Sequence, residues 1–208
     1  KAKNTFTFDA SKAPDLININ ADGILVAEIM ETKTPEQSLI QFSNSKEFVS
    51  RYKALSAIKD ADAKNPAVVK LLATALKDPF YRLREQALNQ IDLTNADQAK
   101  ALTAEVEKLA SNDPKTLVQA AAISALAKTK NAKYSSLFEK GMNAVSNAVK
   151  GSSLAGIADL DPSKVATLAD KIDLENASED LISKMLPIIV KNKIEKQMPA
   201  IGTTVAFY

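Results

Sequence analysis

The chain has 208 residues, 46% of them hydrophobic and only 5% aromatic, which is long enough to bury a sizeable core and far from the composition of disorder. Lysine and arginine total 27 against 25 acidic residues, so no strong field is set up for nucleic acid or an anionic membrane. The chain has no cysteine and no histidine, which excludes a disulfide framework, thiol metal sites, Ser-His-Asp and Cys-His catalysis and the H-E-x-x-H zinc motif. No membrane span is expected: Leu117 to Ala127 and Met198 to Tyr208 are among the longest apolar stretches, and both fall short of a bilayer's thickness. A soluble chain follows, with cytoplasmic, periplasmic and secreted compartments all open.

Residues 1–32 read as extended. Thr5-Phe6-Thr7-Phe8 and Leu16-Ile17-Asn18-Ile19-Asn20 alternate, Ala21-Asp22-Gly23 is turn chemistry, and Ile24 to Met30 is apolar and rich in β-branched residues. Two or three strands cannot close a sandwich, so this segment is expected to be the terminal strands of a β-sandwich domain. Residues 33–208 read as a helical-repeat domain. Thr34-Pro35-Glu36-Gln37 is a helix start, with Thr at the cap, Pro at the first position and Gln at the third. Helices are then expected over Phe48 to Lys59, Pro66 to Lys77, Pro79 to Ile91, Ala96 to Ala110 and Pro114 to Lys128. Further ones follow over Tyr134 to Met142, Val145 to Ala158, Pro162 to Lys171 and Glu179 to Lys193. Asp78-Pro79, Asp113-Pro114 and Asp161-Pro162 each place a cap before a first-turn proline. Pro187 should kink or divide the last helix.

Four stretches share one register. Asp78-Pro79, Leu83-Arg84, Ala87, Leu88 and Ile91 match Asp113-Pro114, Val118-Gln119, Ala122, Ile123 and Leu126, and the pattern continues in Ser50-Arg51, Ala54, Leu55, Ile58 and in Val149-Lys150, Ser153, Leu154, Ile157. Self-similarity at this period with helical spacing inside each copy marks paired-helix repeats. The expected fold is therefore mainly α, a HEAT/armadillo-like α-α superhelix of antiparallel pairs behind a short N-terminal β segment. The small residue at Ala54, Ala87, Ala122 and Ser153 lets neighbouring helices interlock, and Leu55, Ile58, Leu88, Ile91, Ile123, Leu126, Leu154 and Ile157 should form the core.

Chemical motifs are fragmentary. Gly151 to Gly156 has phosphate-loop spacing, but Ile157-Ala158 replaces the required Lys and Ser or Thr. Asp60-x-Asp62-x-Lys64 begins like a calcium loop, but its twelfth position is Leu71. Ser50 with Lys53, and Ser43 with Lys46, have the Ser-x-x-Lys spacing without its partner motifs. Lys191, Lys193 and Lys196 read as a solvated helix end. The column Arg51, Arg84, Gln119 and Lys150 has two readings: an inter-repeat ladder to the carboxylates of Asp78 and Asp113, or a ligand-binding ridge.

Asn18-Ile19-Asn20-Ala21-Asp22-Gly23, the apolar run after it and the helical array beginning near Arg51-Tyr52-Lys53-Ala54-Leu55 resemble the passage from β-sandwich to C-terminal helical domain in aminopeptidase N-type zinc metallopeptidases. Asn18 and Gly23 fit that family's N-x-x-x-x-G pattern, while Ile24, Leu25, Val26, Ala27 and Ile29 replace the residues that follow it. The tract Pro14-Asp15-Leu16 through Ala27-Glu28 is similar to bacterial members whose C-terminal domain is built of HEAT-like repeats. The resemblance implies a non-catalytic domain of a peptide hydrolase that caps the substrate chamber and controls peptide access. Its partners would be the catalytic domain of the same polypeptide and the peptide substrate; zinc and its ligands would lie upstream of Lys1, with no catalytic, metal or cofactor residue in this chain. The alternative is a free-standing HEAT-like adaptor gripping a peptide or protein on its concave face; a nucleic-acid-binding repeat would need a basic stripe.

Overall fold

The computed structural model describes residues 5, 7, 9–20, 24, 29, 31–173 and 179–194. Among them are ten α-helices and no strand: α1 (Pro35–Asn44), α2 (Phe48–Ala57), α3 (Pro66–Ala75), α4 (Tyr81–Gln90), α5 (Ala96–Asn112), α6 (Thr116–Ala127), α7 (Ser135–Gly141), α8 (Asn147–Leu160), α9 (Val165–Ala169) and α10 (Glu179–Lys191). Short 3-10 turns, Ala132–Tyr134 and Pro162–Lys164, lead into α7 and α9.

Helix starts alternate in kind. At α1 the capping box forms as the sequence predicts: Thr34 Oγ1 accepts from the Gln37 N–H and Gln37 Oε1 accepts from the Thr34 N–H. Asn65 caps α3, Asn95 caps α5, and Asn131 and Asp161 cap the two 3-10 turns, each side chain satisfying a first-turn donor that the helix cannot. Helices α2, α4, α6 and α8 have no side-chain N-cap bond. Asp78 and Asp113 therefore do not cap. They sit two residues ahead of the caps Phe80 and Lys115 and accept those residues' N–H groups at 2.8 Å. These Asx turns occupy Pro79 and Pro114, so α4 and α6 begin at Tyr81 and Thr116 rather than at the prolines.

The helices form two layers. Helices α1, α3 and α5 pack in series, as do α2, α4, α6 and α8, and the pairs α1/α2, α3/α4, α5/α6 and α7/α8 join the layers. The sequence register describes the second layer. Ala54, Ala87, Ala122 and Ser153 are each fully enclosed, and the eight apolar positions following them are all buried. Gly151 and Gly156 lie inside α8. A Cβ at Gly156 would come within 2.7 Å of the Phe138 ring, and one at Gly151 would strike the Leu181 side chain. These glycines serve close approach of α8 to α7 and α10.

Two further expectations change. Leu16 to Asn20 is not a strand: the Ile19 N–H donates to the Glu31 carboxylate, not to a ladder, and Asn20 takes a positive φ of 55° in a turn. Phe6, Phe8, Ala21 to Gly23 and most of Ile24 to Met30 lie outside the described residues. Pro162 to Lys171 forms a 3-10 turn and one short helix where a single longer one is expected, while of the two outcomes open at Pro187 the helix is not divided there.

Candidate functional site

The four column residues stand on the first turns of α2, α4, α6 and α8, along one edge of the stack. Arg84 is the most elaborated. Its Nε and Nη2 donate to Asp113 Oδ2 and Oδ1 at 2.8 and 3.0 Å, and Nη1 donates to the carbonyls of Asp78 and Pro79 at 2.8 and 3.2 Å. Arg84 and Asp113 are only 9% and 5% exposed, so this is a desolvated, bidentate pair whose spare donors satisfy the preceding turn. Arg51 repeats the arrangement one step earlier, donating to the carbonyls of Ser45 and Lys46 and pairing with Asp78. There Nε lies 2.8 Å from Asp78 Oδ2 without a hydrogen-bonding alignment, and Nη2 bonds Oδ1 at 3.4 Å. The first rung is thus more ionic and less directed than the second.

Gln119 keeps half of this role. Its Nε2 donates to the Asp113 carbonyl at 2.6 Å, the same six-residue reach by which Arg51 and Arg84 serve Ser45 and Asp78. The position that would supply the next carboxylate is occupied by Ala144. Lys150 turns away to the Lys171 carbonyl at 3.1 Å. Of the two readings of the column, the geometry at Arg51 and Arg84 is the ladder, and it lapses between the third and fourth repeats.

Beside the ladder runs an aromatic ridge that reading the column alone missed. Phe48 meets Phe80 edge-on at 4.8 Å and Tyr52 at 5.8 Å, and Phe80 meets Tyr81 at 5.4 Å. Arg82 and Lys115 both lie over the Tyr81 ring, at 5.1 and 5.6 Å. Phe48, Tyr52 and Phe80 stay 40 to 48% exposed, in a chain with few aromatic residues. The register carries the missed signal: Phe48 and Tyr81 each stand three residues before a ladder arginine. The other layer has links of its own, from Asn65 to Glu36, from Gln98 to the Ala63 carbonyl, and from Lys133 and Tyr134 to Glu107. The lysine and tyrosine donors at Glu107 hold its carboxyl below the ordinary value.

The extended segment is clasped to the first pair. Asn18 Nδ2 donates to Ser50 Oγ at 3.0 Å, and Gln41 Nε2 donates to the Ser50 carbonyl at 2.8 Å. Lys33 donates to Glu31 at 2.7 Å; burial works against ionisation of Glu31, but this bond and the Ile19 N–H hold its carboxyl below the ordinary value. Ser50 is buried in this cluster and exchanges a hydrogen bond with Ser45 at 2.7 Å, so its Ser-x-x-Lys spacing is occupied by structural bonds. Asp62 accepts the Lys64 N–H in a local turn. Lys191 and Lys193 lie at the exposed end of α10, and Lys196 is outside the described residues.

No group of three or more acidic side chains is placed to hold a metal ion among the described residues, and none of their helices is long and apolar enough to cross a membrane. Along the edge, the aromatic faces, cationic side chains and hydrogen-bonding groups can do recognition chemistry. No protein-family profile, curated protein or solved structure matches the chain.

Proposed function

We propose that this chain is a HEAT-like helical-repeat domain with a recognition and capping role. In our reading it is the C-terminal helical domain of an aminopeptidase N-type zinc metallopeptidase, where it closes the substrate chamber and controls peptide access. The observation that carries the reading is the order of parts. An extended segment is clasped through Asn18 and Ser50 to the first helix pair, and rung-linked pairs follow it in two layers. On this reading the zinc ligands and the catalytic carboxylate belong to residues upstream of Lys1, since this chain has no histidine or cysteine and no acidic cluster of the needed size among its described residues.

The test compares the chain alone with the polypeptide encoded by its full reading frame. The chain alone should neither bind zinc stoichiometrically nor hydrolyse aminoacyl chromogenic substrates. The full polypeptide should do both, and removal of residues 33–208 should alter its preference among peptides of different length. An upstream frame without an H-E-x-x-H helix, or peptidase activity in the chain alone, overturns the proposal. The second reading, a free-standing adaptor, is favoured by the exposed Phe48, Tyr52 and Phe80 ridge. It predicts association with a separate polypeptide that Phe48→Ser and Tyr52→Ser abolish, with no peptidase in the complex.

A further inference from the structure

The lapse of the ladder leaves a cavity. At the two complete steps a guanidinium bridges one repeat to the carboxylate of the next, filling the space between turns. At the third step the donor is Gln119 and the acceptor position is Ala144, two side chains too short to meet, and a pocket of about 310 Å³ opens there. Its floor is apolar, built from Ala110, Ile123, Leu137 and Val149, while Gln119 and Lys140 stand at its rim. Ile123 and Val149 belong to the buried core, so the floor is set by the packing of α6 and α8.

The charge of the mouth is one-sided. None of the lining residues is acidic. Lys140 makes no ion pair among the described residues. Asn143, on the same lining, already has its Oδ1 engaged by the Lys171 ammonium at 3.4 Å. The neighbouring acids are committed elsewhere, Glu139 to Lys164 and Glu107 to Lys133 and Tyr134. A site with an apolar floor, amide donors and an unpaired ammonium at its mouth is complementary to an apolar body ending in a carboxylate. We propose that the gap between the third and fourth repeats is a binding site for a small apolar carboxylate, a free aliphatic or aryl acid. The acid's hydrocarbon would lie on Ile123, Leu137 and Val149, and its carboxylate would take the place of the missing ladder anion, between Gln119 and Lys140. The volume favours a small molecule over a polypeptide, because it sits at the lower end of the range for ligand pockets, roughly 300 Å³.

The experiment is an amide-resolved NMR titration of the purified chain with hexanoate and phenylacetate, set against hexanamide, phenylacetamide and phenethylamine. The acids should produce saturable shifts centred on Gln119, Gly141 and Ala144, and should bind about fivefold more tightly than the amides, the ratio expected of one rim-exposed charge contact. Lys140→Gln should erase that preference while leaving hydrocarbon binding. Gln119→Arg with Ala144→Asp should rebuild the rung, close the cavity and abolish binding; retained helical content and an unlowered melting temperature would show that this variant folds. Equal binding of acid and amide, tighter binding of the amine, shifts scattered over surface lysines, or undiminished binding in the rebuilt-rung variant each overturns the proposal. A capped peptide that binds where both free acids fail overturns it in favour of a protein partner.

Discussion

Removing the Arg84 rung tests whether the stack is held at its turns or only through its core. Arg84→Met keeps most of the aliphatic stem and takes away the charge, leaving Asp113 with the Lys115 N–H as its remaining described donor. Asp113→Ala removes the acceptor but leaves Arg84 bonded to the Asp78 and Pro79 carbonyls. Breaking a buried pair strands the surviving charge, at a cost of about 3 to 5 kcal/mol, and Asp113→Ala belongs at the lower end because the guanidinium keeps two partners. These losses exceed the ~1 kcal/mol of a simple cap, since Asp113 joins two repeats as well as ordering one turn. In the double variant no charge is stranded, so the total should fall short of the sum by about 2 to 3 kcal/mol. Urea unfolding followed by far-ultraviolet circular dichroism measures all three, with the transition slope required to stay constant. Single losses near those of a surface pair, or strict additivity, would refute the reasoning. The exposed Arg82–Glu85 pair is the control, and Arg82→Ala should barely move the midpoint.

Leu88, 1% exposed in the last turn of α4, should cost about 2 to 5 kcal/mol when truncated to Ala, read from the same urea midpoints. Gly156→Ala should destabilise by about 1 to 3 kcal/mol by forcing the Phe138 ring off its seat, with broadened Phe138 ring resonances as the accompanying sign. Glu107, held below its ordinary value of 4.5 by Lys133 and Tyr134, binds its proton less readily folded than unfolded. Its contribution is therefore present above about pH 4.5 and lost as the pH falls through the lowered folded-state value. Glu107→Gln should flatten that part of the acid limb in urea midpoints measured at successive pH values, and an unchanged limb would show that the contact contributes nothing.

The second layer was legible because its constraint is repetitive. A small residue, two apolar residues and a long polar one recur at fixed offsets, and the fold buries the small and apolar ones as the register requires, from Ala54 enclosed in α2 to Ile157 buried in α8. The first layer was legible only as helix. Its links, such as Gln98 to the Ala63 carbonyl and Tyr134 to Glu107, join residues of unlike type at unlike offsets and leave no period. The helix starts at Asp78 and Asp113 were misplaced by two residues for a related reason. Asp-Pro satisfies the rule for a cap and the rule for an Asx turn equally well, and the arginine one repeat earlier decides between them by drawing the carboxylate toward itself. At the N-terminus, alternation between Leu16 and Asn20 indicated a strand, but Asn18 and the Ile19 N–H find side-chain partners in Ser50 and Glu31. Polar groups satisfied in that way do not need a ladder.

The candidate sites lie where the stack departs from its own pattern. A repeat stack propagates its fold through like contacts between like positions, so a position that abandons the pattern loses stability unless something else fills it. Two departures occur along one edge: aromatic residues at Phe48 and Phe80 that stay exposed beside complete rungs, and the Gln119–Ala144 step where the rung is absent and a cavity opens. The first adds apolar surface where a stacked scaffold needs none. The second removes a contact that its two predecessors supply. Neither helps the stack to form, and both face the turns that precede the second-layer helices. That edge, and not the layer of α1, α3 and α5, is where substitutions should alter binding without altering the fold.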